Sequence, residues 1–292
     1  MATSKAGIGS ELQAAYLRRL GLDAEPPSVE ALQRLHRRHA ERVPYETMWL
    51  HAGERWSIDP VESVARIALQ GRGGYCYHLN GAFAELLGTL GYTVTRHVGG
   101  VHGPGGPDPQ AMGNHAVLTV RGLPSDANPS GTWYVDVGLG DALHEALPLA
   151  TGDYEQAPFR LALEQIDGAA WHLAHDPRGG FVGMSWTAGE ADMTTFAAQH
   201  EWLSTADDSP FAQVAMAEHR DATGVDVLRG LVLMRIGDGA RTSEPLTTRS
   251  DWFAALADGF DLRFDDSPPE LLDHLWERVL AAHREWDAAG RP

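Results

Sequence analysis

Three side chains carry the chemistry this sequence offers: one cysteine, Cys76, with His115 and Asp136. A thiol becomes a useful nucleophile when an imidazole takes its proton, and the imidazole works when a carboxylate fixes its tautomer. Cys76 lies in Arg72-Gly73-Gly74-Tyr75-Cys76-Tyr77-His78-Leu79-Asn80, where a glycine-rich turn gives way to helical periodicity. Gly73 and Gly74 leave out side chains where a substrate carbonyl would approach the backbone, room that an inert core thiol does not need.

The elements that must position these groups follow from spacing. Leu79, Phe83, Leu86, Leu87 and Leu90 lie on one face of a helix that Gly91 would stop, so Cys76 falls in its first turn. Unpaired N–H groups and the positive end of the helix dipole favour a thiolate there and would also serve a developing oxyanion. His115 and Asp136 sit on two strand-like runs, Asn114 to Val120 and Trp133 to Gly138, joined by a connection containing Pro124, Pro129 and Gly131. An antiparallel hairpin with a long loop is the simplest arrangement. If Val120 faces Trp133, then Val117 faces Asp136, and His115, Val117 and Asp136 project from one face of the sheet. A carboxylate amid apolar strand residues needs a partner if buried, and an imidazole N–H would serve.

With those residues in place, the sequence resembles the arylamine N-acetyltransferases. The Arg72-Gly73-Gly74-Tyr75-Cys76 run with Asn80 is similar to that family's nucleophile motif, and Asn114-His115 and Val135-Asp136-Val137-Gly138-Leu139-Gly140 are similar to its two other catalytic segments. Leu32 to Met48, containing Val43-Pro44-Tyr45-Glu46, and Trp202 to Thr205 with Ser209-Pro210-Phe211 extend the likeness over most of the chain. The resemblance implies Cys76 as nucleophile, His115 as base and Asp136 as its orienting partner. It also implies ping-pong transfer of an acetyl group from acetyl-CoA, as cosubstrate rather than resident cofactor, to an aromatic amine or hydrazine. By family position Tyr45, Leu139 and Phe211 would line the acceptor pocket, Gly138 and Gly140 would adjoin the cofactor, and Glu46 and Arg72 would brace the nucleophile turn as an ion pair. Two positions depart from the family pattern. His78 stands where the family usually carries Glu, and Leu139 where it usually carries an aromatic residue. An amide synthase acting on a longer acyl chain, and a thiol hydrolase or transglutaminase-like enzyme, remain the alternative readings.

Composition sets outer limits. With 40 acidic and 23 basic residues, the formal charge of −17 opposes phosphate backbones and anionic membranes, so neither nucleic acid nor a membrane is expected as a partner. No run approaches the length of a bilayer span, residues 1–7 lack a signal-peptide core, and one cysteine excludes an internal disulfide. A reducing cytoplasm is the expected compartment. His36 with His39, and His172 with His175, are close in sequence but lack the carboxylate of a zinc motif, so no metal is expected.

Along the chain, Leu12, Tyr16, Leu17 and Leu20 mark a helix ending at Gly21, and Ser28 caps a second that ends before Pro44. A third starts at Asp59-Pro60-Val61-Glu62, with Asp59 as cap and Glu62 reaching back to it. Residues 92–200 show short alternating stretches: Tyr92 to Val98, His115 to Val120, Trp133 to Val137 and Phe181 to Trp186. The remainder mixes a strand-like Gly230 to Ile236 with helices, the last from Pro268 to Trp286. The expected class is therefore multi-domain α+β: a helical domain over 1–91, a β domain over 92–200 and an α/β domain over 201–292. The resemblance makes these a helical domain, an antiparallel β-barrel and a lid around a cysteine-protease-like core.

Overall fold

A computed structural model gives the structure of residues 8–237 and 239–290. Residues 1–7, read above for a signal core, lie outside the described residues. The first helices begin and end where their caps allow. Helix α1 (Ser10–Leu20) stops at Gly21, whose φ of 69° lets its N–H return to Arg18 and Leu17 carbonyls. Helix α2 (Val29–Ala40) is capped by the Ser28 hydroxyl, which accepts from the Ala31 N–H. Strand β1 (Tyr45–Glu46) and the short α3 (Met48–His51) follow. In α4 (Pro60–Gln70) the Asp59 carboxylate accepts from Val61 and Glu62 N–H groups. The expected return bond from Glu62 does not form, because Ser57 donates its hydroxyl to that carboxylate instead, at 2.5 Å, and accepts the Asp59 N–H. Helix α5 (Cys76–Thr89) completes this layer, with Phe83, Leu86 and Leu87 packed among Tyr16, Leu20 and Leu32.

The middle of the chain forms one eight-stranded antiparallel sheet that curls toward closure. Its strands are β2 (Thr93–His102), β3 (His115–Arg121), β4 (Trp133–Val135), β5 (Leu147–Pro148), β6 (Gly152–Gln156), β7 (Phe159–Ile166), β8 (Ala170–Ala174) and β9 (Gly183–Glu190), in the order β5-β4-β3-β2-β9-β8-β7-β6. Strand β3 is buried on both faces. Leu118 and Val120 join the helical core, whereas Val117 turns into the barrel beside Tyr134, Leu163 and Trp186. That double burial is why His115 to Val120 reads as a continuous apolar run. Val120 pairs with Trp133, the register that the hairpin reading requires.

The last third follows the same antiparallel logic. After α6 (Ala197–Thr205) and α7 (Pro210–Gln213) come β10 (Met216–Asp221), β11 (Gly224–Arg229), β12 (Val232–Gly237) and β13 (Ala240–Pro245). Helices α8 (Arg249–Phe260) and α9 (Pro269–Ala288) cover that sheet through Trp252, Leu256, Leu275 and Val279. Its edge is β1, since Tyr45 pairs with Glu218 and Glu46 with Ala217. Residues 45 and 46, inside the stretch assigned to the helical domain, thus belong to the sheet of the third. A two-residue strand has no periodicity by which a sequence could declare it. Among the described residues no helix is long and apolar enough to cross a membrane.

Candidate active site

Every functional candidate is placed by a backbone feature. A Cβ on Gly73 would fall 1.8 Å from the Pro44 carbonyl oxygen, and Gly74 adopts φ +130°, so the turn before α5 accepts only glycines. The Gly74 carbonyl receives the Glu46 N–H at 3.0 Å, which ties that turn to β1. Cys76 is the first residue of α5, and its Sγ lies 3.6 Å from the Asn114 carbonyl. Only 5% of the residue is exposed. The N–H groups of Cys76 and Tyr77 have no protein acceptor among the described residues, as expected of a helix's first turn.

His115 and Asp136 meet as the hairpin register requires. His115 Nε2 donates to Asp136 Oδ2 at 2.7 Å, which leaves the other ring nitrogen free, and Cys76 is near enough for its charge to act on the ring. Burial pushes the imidazole toward its neutral form, but the charges of Asp136 and Cys76 outweigh burial and raise His115 to about 10. The charges beside it therefore favour the protonated imidazole. Asp136 is also held by groups the sequence did not single out for this task. Tyr134 Oη donates to Oδ2 at 3.0 Å, while Asn80 Nδ2 and the Gly138 N–H donate to Oδ1 at 2.7 and 3.0 Å. Asn80 further joins the Ala116 carbonyl and the Val137 N–H, so one amide links α5, β3 and the end of β4. Its position one helical turn after Cys76 was the available signal.

His36 supplies a second hold on the same residue. Its Nδ1 donates to the His144 carbonyl at 3.0 Å, and its Nε2 accepts the Asp136 N–H at 3.3 Å. Burial lowers this ring to about 4, so it is neutral. His39 instead bonds Tyr16 Oη at 2.7 Å, His172 bonds Ser185 and His175 bonds Asp141. The two histidine pairs are thus divided among unrelated partners, and no group of three metal-ligating side chains forms among the described residues.

The turn has its own support. Arg72 Nη2 lies 2.9 Å from Glu46 Oε1, and Glu46, fully buried, also accepts the Met48 N–H. The guanidinium is sandwiched by Trp56 and Phe264, at 4.9 and 5.0 Å from their ring centres. His78 takes over the reach-back of a capping box: its Nδ1 accepts the Tyr75 N–H at 3.3 Å. Burial among Trp49, Trp56 and Tyr75 keeps that ring neutral, so the cap is made without a charge.

Tyr45 and Phe211 meet edge to face at 6.3 Å and join the cluster containing Cys76, with Phe211 stacked on Tyr75 at 5.0 Å. Leu139 lies on the barrel side, where it and Tyr45 border a cavity of about 10 Å³ beside Asp136. Gly138 packs directly on the nucleophile, since a Cβ there would fall 2.7 Å from Cys76 Cα. Gly140 adopts φ +70°, and a Cβ would fall 1.6 Å from Glu218 Oε2, so the protein itself fills that space.

Known proteins are similar to this chain over most of its length. A family model described as N-acetyltransferase matches residues 28–268. The chain is 27% identical over 233 residues to the arylamine N-acetyltransferase, pineal gland isozyme NAT-3, of Gallus gallus, covering 73% of this chain and 78% of that protein. It is 33% identical over 153 residues to the arylamine N-acetyltransferase of Mycolicibacterium smegmatis, covering 50% and 54%. The fold superposes on the Mycobacterium marinum arylamine N-acetyltransferase in complex with CoA with a TM-score of 0.81 and 24% identity, covering 92% of this chain and 99% of that one.

Proposed function

This chain belongs to the arylamine N-acetyltransferase family, and we propose that Cys76, His115 and Asp136 perform its acetyl transfer in two half-reactions on one sulfur. His115 takes the Cys76 proton, and the thiolate attacks the thioester carbonyl carbon of acetyl-CoA. The tetrahedral oxyanion would be received by the N–H groups of Cys76 and Tyr77. Collapse breaks the bond to CoA, whose thiolate leaves with the proton from His115. An amine then attacks the acetyl carbon, His115 accepts its proton, and the C–S bond breaks to restore Cys76. Throughout, Asp136 holds the His115 Nε2–H, so the nitrogen facing the sulfur is the one that exchanges protons.

The carrying observation is the 2.7 Å contact of His115 with Asp136, with Cys76 near enough for its charge to act on the same imidazole. An aromatic amine or hydrazine suits the second step because its nitrogen is largely unprotonated near neutral pH. Tyr45, Phe211 and Leu139 are the proposed walls of the acceptor site. Gly138, pressed against Cys76, is the proposed point where the acetyl end of the cosubstrate passes the backbone, with Gly140 completing the turn. Mass spectrometry of the protein exposed to acetyl-CoA alone should find one acetyl group on Cys76, removed on adding an arylamine. Cys76→Ala should lose transfer entirely, because members of such a unit do not act independently. An enzyme that stays unmodified yet active would overturn the scheme.

A further inference from the structure

At the end of β3 away from His115, a cavity of about 180 Å³ lies on the concave face, and none of the proposed catalytic or acceptor residues borders it. Its apolar walls come from Trp171 and Trp186, cross-strand neighbours on β8 and β9 with ring centres 6.3 Å apart and planes 19° from parallel. Trp186 is backed by Tyr134, stacked at 4.7 Å, so that wall is fixed in place. A third ring, His97, has its polar atoms already engaged: Nδ1 with the Gly189 carbonyl and Nε2 with the Thr119 hydroxyl. Burial keeps His97 neutral. Mouths of β-barrels are common ligand sites, and an apolar cavity of roughly 150 Å³ holds one benzene ring. The space therefore suits a single aromatic ring.

The rim adds charge of both signs. Arg121 at the end of β3 and Glu190 at the end of β9 border the cavity, are exposed, and form no ion pair among the described residues. Both line the same cavity as His97. A bare anion would meet Glu190 and the field of a chain carrying −17, and a bare cation would meet Arg121. A ligand with both charges satisfies both.

We propose that this mouth is a binding site for a small aromatic zwitterion, such as a single-ring aromatic amino acid. The ring lies against Trp171 and Trp186, the carboxylate is met by Arg121 and the ammonium by Glu190. Fluorine NMR of para-fluorophenylalanine, with the full chain alkylated at Cys76, tests it. The ligand signal should broaden, and Ala188→Trp, which enlarges an exposed residue at the cavity edge, should abolish the broadening while leaving acetyl transfer by the unalkylated enzyme unchanged. Arg121→Gln and Glu190→Gln, both at exposed positions, should each weaken binding about threefold, as rim charges do; if Ala188→Trp fails to fold, this pair carries the test. Para-fluorophenethylamine and para-fluorophenylpropionate should bind less tightly than the amino acid. The proposal is overturned if no broadening occurs at millimolar ligand. It is equally overturned if broadening persists in a folded Ala188→Trp, or if both single-charge analogues bind as tightly as the zwitterion.

Discussion

Asp136 receives four donors on two oxygens, and that saturation decides what a conservative change would do. In Asp136→Asn an NH₂ group must face at least one of the donors from Asn80, Gly138, Tyr134 or His115, and the imidazole loses the main cause that raises it. The expected fall in kcat is on the order of 10⁴-fold, the loss seen when the third member of a serine triad becomes an amide. A stability signature accompanies it. His115 is raised from 6.5 to about 10 in the folded protein, so its contribution is fully present below about 6.5 and disappears as pH rises through about 10. The stability advantage of the natural chain over Asp136→Asn should be greatest near pH 6 and shrink toward pH 10. Urea unfolding at a series of pH values measures it, and an advantage that grows with pH would contradict the assigned charge state. The contact of His115 with Asp136 was legible in the sequence because His115 opens β3 and Asp136 directly follows β4, and one pairing fixes the register of those two strands. His36 was not, since its bonds go to main-chain atoms about a hundred residues away and leave no trace in spacing.

The elements around the nucleophile leave little slack. Gly138→Ala would place a methyl 2.7 Å from Cys76 Cα and 2.9 Å from Asn80 Nδ2, and a main-chain atom at a helix start cannot step aside. A destabilisation of about 1–3 kcal/mol, with reduced acetylation of Cys76, is expected from thermal melts and mass spectrometry. Arg72→Met acts through charge instead, leaving the buried Glu46 carboxylate with no cation. That should cost about 3–5 kcal/mol in urea unfolding. Adding Glu46→Gln should recover part of the loss, and a double-mutant cycle without coupling would show that the two do not act as a pair. The helices α1, α2, α4 and α5 were readable because each has a cap or a glycine stop and one apolar face. Strands β6 and β8 were not, because five residues such as Gly152 to Gln156 carry too few apolar side chains to show alternation. β10, β11 and β13 escaped for a related reason: their order is enforced by pairing along a sheet, with β13 exposed throughout.

At the scale of the molecule, buried neutral imidazoles set the response to acid. His36, His39 and His51 are lowered to about 4, about 3 and about 4, each chiefly by burial. Between about 6.5 and these values the unfolded chain binds protons that the native chain does not, so stability should decline as pH falls through that window. His115 does not offset the decline, its contribution being already complete there. Melting temperature followed from pH 7 to pH 4 checks this, and a flat profile would contradict the burial of those rings. The two residues of β1 are stitched on one side to the Gly74 carbonyl just before the nucleophile and on the other to β10 of the C-terminal sheet. A swing of that sheet away from the barrel would drag the sulfur's own footing with it, so donor and acceptor have to take turns through a doorway whose frame stays put.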